Sequence, residues 1–209
     1  MSTYSEQYDA ALLAHAAYLN FPAVSTPGAQ PISAVALKLI LRSADDHGNI
    51  RFTEEQADYF VLHFSAVAYR EAGGLSGFQA VVFRNIDTGR LTLAIRGTEE
   101  AADFGADGLL AFYSRAFSQT DELKTFLAEL GNWFPAGSSQ PLITAATAIN
   151  LTGHSLGGHL VHYANGLSGL LVNRAYTFNG AGSGALSVGS VLAGPAGWAL
   201  SVVRAIELA

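Results

Sequence analysis

The chain has 209 residues, half of them apolar and 13% charged. That is enough for one domain with a real core and too apolar for a disordered chain. The formal net charge of −6 and the lack of any Lys/Arg run argue against a nucleic-acid partner. The absence of cysteine excludes disulfides, thiolate catalysis and Cys-ligated metal sites.

The N-terminal MSTYSEQYDA has neither a basic segment nor an apolar one, so no Sec-type signal is expected there. The expectation is export by a route without an N-terminal signal, with cytoplasmic residence as the alternative. Residues 7–19 and 33–43 have helical apolar spacing. Thr53 followed by Gln56 has the pattern of a capping box and predicts a helix over 54–62. The texture then changes to strands at 64–70, 78–83 and 91–95. Asn85-Ile86-Asp87-Thr88-Gly89 lies between the last two and predicts a hairpin. Two helices are expected over 101–115 and 118–130, a strand over 148–152, a helix over 156–166 and a strand over 175–178. Strands that alternate with helices in the second half predict a parallel sheet in an α/β domain. Residues 176–203 are uncharged, but Asn179, six glycines and Pro195 interrupt them. They read as a buried or interface-facing segment and not as a membrane span.

Gly153-His154-Ser155-Leu156-Gly157 fits G-x-S-x-G between a strand and a helix. The spacing has a physical reason. A serine at a sharp strand-to-helix turn needs small residues two positions away on either side. Such a turn lifts the hydroxyl above the sheet and aims the Leu156 N–H at a developing oxyanion. A second donor must come from elsewhere. The apolar strand that ends in Arg96-Gly97-Thr98 offers one, because Gly97 permits close backbone approach and Thr98 has both an N–H and a hydroxyl. Taken alone, the segment reads better as a strand end followed by Thr98 as an ordinary helix N-cap.

Arg96-Gly97-Thr98 followed by Asp103 and Asp107 resembles the R-G-T…D-W-x-x-D pattern of the lipase class 3 family, with Phe104 in place of tryptophan. Gly153-His154-Ser155-Leu156-Gly157-Gly158 resembles that family's G-H-S-L-G-G turn. The hairpin before Arg96 also resembles secreted bacterial lipases and phospholipases of the repeats-in-toxin type. The resemblance covers roughly residues 60–180. It implies an α/β-hydrolase fold, in which a sheet is flanked by helices, and hydrolysis of lipid carboxylic esters at an interface. It implies Ser155 as nucleophile, Leu156 and Thr98 as oxyanion donors, and structural roles for Asp103 and Asp107. It implies no cofactor, and no His/Asp/Glu cluster has metal-ligand spacing.

The expected acid and base are missing. In this fold they follow the serine in the order Asp or Glu, then His. After Ser155 the chain has no aspartate, and Glu207 is its one acid. His159 and His162 lie on the helix that the serine opens and are badly placed to reach its hydroxyl. His15, His47 and His63 precede it and read as helix, turn and helix-end residues. Residues 1–209 are therefore expected to form a single α/β-hydrolase domain that is incomplete at its C-terminus. A separate C-terminal fragment would supply Asp and His, and residues 185–203 would line the acyl site or form part of a lid. A non-catalytic lipid- or protein-binding module, or a thioesterase or peptidase on the same scaffold, are the competing readings.

Overall fold

A computed structural model describes residues 3–44, 50–73, 76–97 and 106–180, without the side chains of 106–117. The expectations for Thr98, Asp103, Phe104, His47, Glu207 and residues 185–203 fall outside the described residues, as does the side chain of Asp107.

Three helices come first: α1 (Tyr4–Ala16), α2 (Ala34–Leu41) and α3 (Glu54–His63). Each starts at a hydroxyl that satisfies otherwise unpaired N–H groups. Ser33 caps α2, and capping boxes of Thr3 with Glu6 and Thr53 with Gln56 open α1 and α3. Then come β1 (Phe64–Glu71), β2 (Gln79–Asn85), β3 (Leu91–Ile95), α4 (Ala106–Leu130), β4 (Ile149–His154), α5 (Leu156–Asn165) and β5 (Val172–Phe178). Two helices were expected where α4 stands. No glycine or proline lies between residues 106 and 130 after Gly108, so nothing breaks the helix and it runs on as one.

The five strands lie in the order β1-β2-β3-β4-β5. β1, β2 and β3 are antiparallel neighbours, whereas β3, β4 and β5 are parallel. The β2–β3 hairpin turns as expected. Asn85 Oδ1 accepts from the Thr88 N–H and hydroxyl, and Gly89 takes the positive φ of 70° that the turn demands. All five residues of β3 are buried, the mark of a central strand covered on both faces.

Alternation along the strands builds two cores. Val81, Phe83 and Ala94 face α1 to α3 and pack with Leu13, Phe21 and Phe60. Val82, Leu93, Ile95 and Leu151 face α4 and α5 and pack with Leu123, Phe126 and Leu160. Each fully buried large side chain contributes about 1.5–3 kcal/mol. Arg70 on β1 pairs with Glu122 at 2.9 Å and Glu129 at 2.7 Å, which ties α4 across its face of the sheet.

Two polar anchors fix α1 over the sheet. The Thr152 hydroxyl on β4 donates to Ala10 O at 2.9 Å. Gln79 on β2 is fully buried, and its Nε2 donates to Ala17 O at 2.9 Å and Leu19 O at 2.8 Å. Its Oε1 accepts from Arg96 Nη1 at 2.5 Å. One side chain therefore joins the end of α1 to the end of β3. Gln79→Leu keeps the size, strands two buried carbonyls and takes one partner from the half-buried Arg96. Its expected cost is about 3 kcal/mol or more by urea denaturation. A loss under about 1 kcal/mol would show that these carbonyls find other donors.

Candidate active site

Ser155 stands between β4 and α5 with φ 56° and ψ −124°, a conformation that disfavours any side chain. Of the described residues that are not glycine, Asn179 alone shares its positive φ. The surroundings explain how the strain persists. A Cβ on Gly153 would strike the backbone of Gly157, with Gly158 N 2.9 Å away. A Cβ on Gly157 would strike Ile95 O and stand 3.0 Å from the Arg96 carbonyl carbon. The turn closes only because both positions lack a side chain, as the G-x-S-x-G spacing anticipated.

β3 and β4 are parallel, with Ile95 beside Gly153, so Arg96 and Gly97 leave the sheet next to Ser155. A Cβ on Gly97 would collide with His154 O, 2.7 Å from Tyr18 Oη and 3.0 Å from Ser155 Cβ. Arg96 is locked by Gln79 and by Gly77 O at 2.8 Å, and holds the strand end in place. The described part of the first motif, Arg96-Gly97, thus meets the serine turn, with Gly97 against the serine.

The Ser155 N–H donates to Phe178 O at 3.0 Å, which ties the turn to the end of β5. α5 has no side-chain cap. Leu156 is its first residue and is buried. Its N–H is among the donors that a helix start leaves unpaired, and the helix dipole adds positive potential there. A strained, half-buried hydroxyl beside an uncapped helix start suits nucleophilic attack and the holding of an oxyanion.

The histidines divide clearly. His154 turns its ring to Tyr18, and the Tyr18 hydroxyl and His154 Nδ1 share a hydrogen bond of 2.9 Å. His15 packs on Phe52 with ring centres 5.2 Å apart. His63 and Asp87 form a pair at 2.9 Å, the sort of dyad a triad needs. It stands at the wrong end of the sheet. Asp87 belongs to the turn before Leu91, which pairs with Ile149, and Ser155 is six residues further along β4. At about 3.3 Å per residue the separation is roughly 20 Å. His159 and His162 lie along α5, past the serine. Among the described residues no group of three or more His, Asp or Glu could hold a metal ion, and no helix is long and apolar enough to cross a membrane.

Tyr18, Arg51 and Gln79 were not singled out from the sequence. Gln79 carried a faint signal, a lone amide inside an apolar strand. Tyr18 carried none, because its partner is 136 positions away.

No family model and no curated protein matches the chain. Among solved structures it is similar to the Lip2 lipase of Yarrowia lipolytica, at 13% identity and a TM-score of 0.39, over 76% of this chain and 51% of that one. It is also similar to a fungal lipase, at 14% identity and a TM-score of 0.40, over 77% of this chain and 56% of that one. The chain spans about half the length of either. Both neighbours are fungal lipases, and neither is of the bacterial repeats-in-toxin type. At this identity and TM-score the likeness assigns no residue a role; the described residues themselves form a mixed five-stranded sheet with helices packed on both faces.

Two outcomes follow. Ser155→Gly removes the side chain that φ 56° penalises and is expected to raise stability by about 0.5–2 kcal/mol in urea. A loss of stability would mean that the turn is not strained. The second concerns pH. The His15 imidazole is held below its ordinary value of 6.5 by burial first and then by the nearby charges of Arg51 and His154. His162 is lowered by burial first and then by His159. The unfolded chain therefore takes up these protons before the folded one does. Their contribution is flat above pH 6.5 and destabilises as pH falls below it. The melting temperature should drop on going from about pH 7.5 to 5.5, and His15→Gln should flatten the drop. An unchanged slope in that variant would remove His15 as its source.

Proposed function

We propose that this chain carries the nucleophile and oxyanion site of a serine hydrolase that cleaves carboxylic esters of lipids, as a triacylglycerol lipase or a phospholipase A1-like enzyme. The observation that carries the reading is Ser155 in a strained turn at an uncapped helix start, packed against Gly97.

In this reading Ser155 Oγ attacks the acyl carbonyl carbon and its proton passes to a histidine base. The carbonyl oxygen becomes an oxyanion held by the Leu156 N–H and by Thr98. Collapse of the tetrahedral intermediate breaks the bond to the alcohol, which leaves with the proton from the histidine. Water then attacks the acyl-enzyme by the same route and frees the acid and Ser155. Gly153, His154, Gly157, Arg96 and Gly97 hold the turn. The base and its acid come from a further segment, a C-terminal fragment that supplies Asp and His. Among the described residues the Ser155 hydroxyl has no histidine bonded to it, and the His63–Asp87 pair is out of reach.

That same unassisted hydroxyl favours the competing reading, a hydrolase fold that binds lipid or protein without turnover. A fluorophosphonate separates the two. In a preparation that contains the histidine-bearing segment, mass spectrometry is expected to find the adduct on Ser155, and Ser155→Ala is expected to abolish labelling and ester cleavage while folding normally. Labelling that persists in Ser155→Ala overturns the assignment. A folded, complete preparation that resists the probe favours the non-catalytic module. A substrate panel in which peptides or thioesters outrun lipid esters removes the lipase part of the reading.

A further inference from the structure

The last turn of α1 is held more firmly than a helix end needs to be. Helices fray where their final carbonyls lack partners. Here the buried Gln79 amide donates to Ala17 O at 2.9 Å and to Leu19 O at 2.8 Å, the carbonyls on either side of Tyr18. Further back along the helix, the Thr152 hydroxyl donates to Ala10 O. The Arg51 guanidinium lies 5.0 Å from the centre of the Tyr18 ring. Backbone and ring are thus both fixed, and little entropy remains to be lost when the hydroxyl makes a bond.

That hydroxyl reaches the serine turn. Tyr18 Oη and His154 Nδ1 are 2.9 Å apart, and His154 is the residue before Ser155. The same oxygen borders the gap that Gly97 leaves open. A Cβ on Gly97 would stand 2.7 Å from Tyr18 Oη and 3.0 Å from Ser155 Cβ. The turn is otherwise held from within the sheet, by Gly97 after β3 and by Phe178 O, which accepts the Ser155 N–H at 3.0 Å. Tyr18 adds a hold from the helix layer above the sheet.

The size of one hydrogen bond decides what that hold is for. A half-buried bond between neutral groups adds little to the stability of a whole domain. It matters far more at a backbone that its surroundings must force into φ 56°. We propose that Tyr18 is a positioning residue for Ser155: its hydroxyl fixes the His154 ring, and through it the strained turn that aims the serine hydroxyl. The consequence for attack rests on the serine-hydrolase reading, whereas the hold on the turn does not. A nucleophile displaced by a fraction of an ångström loses its line to the carbonyl carbon, so the effect belongs in the rate of bond formation and not in ligand affinity.

Two measurements test this. The first is hydrogen exchange of the 209-residue chain, read amide by amide by NMR. Ser155 and Gly158 both donate within the turn, to Phe178 O and Ser155 O. Tyr18→Phe keeps the ring and is expected to speed exchange at these two amides about fivefold or more, with the amides of β2 changed less than about twofold. Tyr59→Phe is the control. It removes a bond to α1 of the same 2.9 Å, at Asp9, and is expected to leave the turn amides unchanged. Unchanged turn amides in Tyr18→Phe overturn the proposal, as does an equal acceleration throughout the sheet. The second measurement is the rate of fluorophosphonate labelling at Ser155, in the preparation that contains the histidine-bearing segment. Tyr18→Phe and His154→Phe are each expected to lower the maximal labelling rate about tenfold and to leave the half-saturating probe concentration within about twofold. The double variant is expected to be no slower than the worse single one, because both act through one bond. Additive losses overturn the route through His154. Should His154→Phe fail to fold, Tyr18→Phe against Tyr59→Phe carries the test alone. Faster turn exchange with an undiminished labelling rate removes the positioning role and leaves the hydrolase reading standing. An unmodified protein that resists the probe removes the hydrolase reading, and exchange then decides the hold on the turn by itself.

Discussion

The backbone of one residue constrains this half of the molecule. Ser155 holds φ 56° because its neighbours allow no alternative. Gly153 and Gly157 let the turn close on itself and on the end of β3, and Gly97 lets the next segment approach the serine. Strain of about 1–3 kcal/mol at one residue survives only where packing fixes it from several sides. Here three strand ends do so: β3 through Ile95 and Arg96, β4 through Gly153, and β5 through Phe178 O. An ordinary serine in a glycine-rich loop would have no need of that convergence.

The rest of the first core serves the same point from a distance. Thr152 and Gln79 pin α1 at Ala10 and at Ala17 and Leu19, and Tyr18 falls between the last two. Its hydroxyl is thereby delivered to His154. Gln79 also holds Arg96, so the amide that positions the tyrosine positions the Gly97 turn as well. In this node each contact fixes the geometry of another, while Arg96 Nε is buried without a hydrogen-bond partner.

What the sequence disclosed follows from the range of the forces involved. Capping at Thr53, the hairpin at Asn85 to Gly89 and the small residues around Ser155 are local requirements, and each was legible from a few neighbouring residues. Arg96-Gly97 offered itself from its residues as one source of a second donor and the resemblance strengthened it, because parallel pairing of β3 with β4 leaves no mark in either strand. Tyr18 and Arg51 were invisible. An aromatic at a helix end and an arginine before a phenylalanine have many ordinary explanations, and only the folded chain brings them together. The two helices expected over 101–115 and 118–130 differ from the single α4 that runs from Ala106 to Leu130, because after Gly108 the segment has no glycine or proline to stop it.

The polarity of the sheet limits where the partners of Ser155 can originate. Parallel strands place all their C-terminal ends on one edge, and ligands of open α/β sheets gather there. β3, β4 and β5 deliver Gly97, Ser155 and Phe178 to that edge, whereas the β2–β3 turn with Asp87 lies at the other. On the proposed reading, an acid and base must therefore enter from chain that leaves this same edge. Gly180, directly after β5, packs on Gly158 near the start of the helix that the serine opens. Residues 181–209 contain neither aspartate nor histidine. A base from the segment that follows β5 would therefore have to lie further along, or on another chain docked at this edge. The half-exposed β5, with residues 172, 174, 176 and 178 turned partly inward, is where such a segment would extend the sheet.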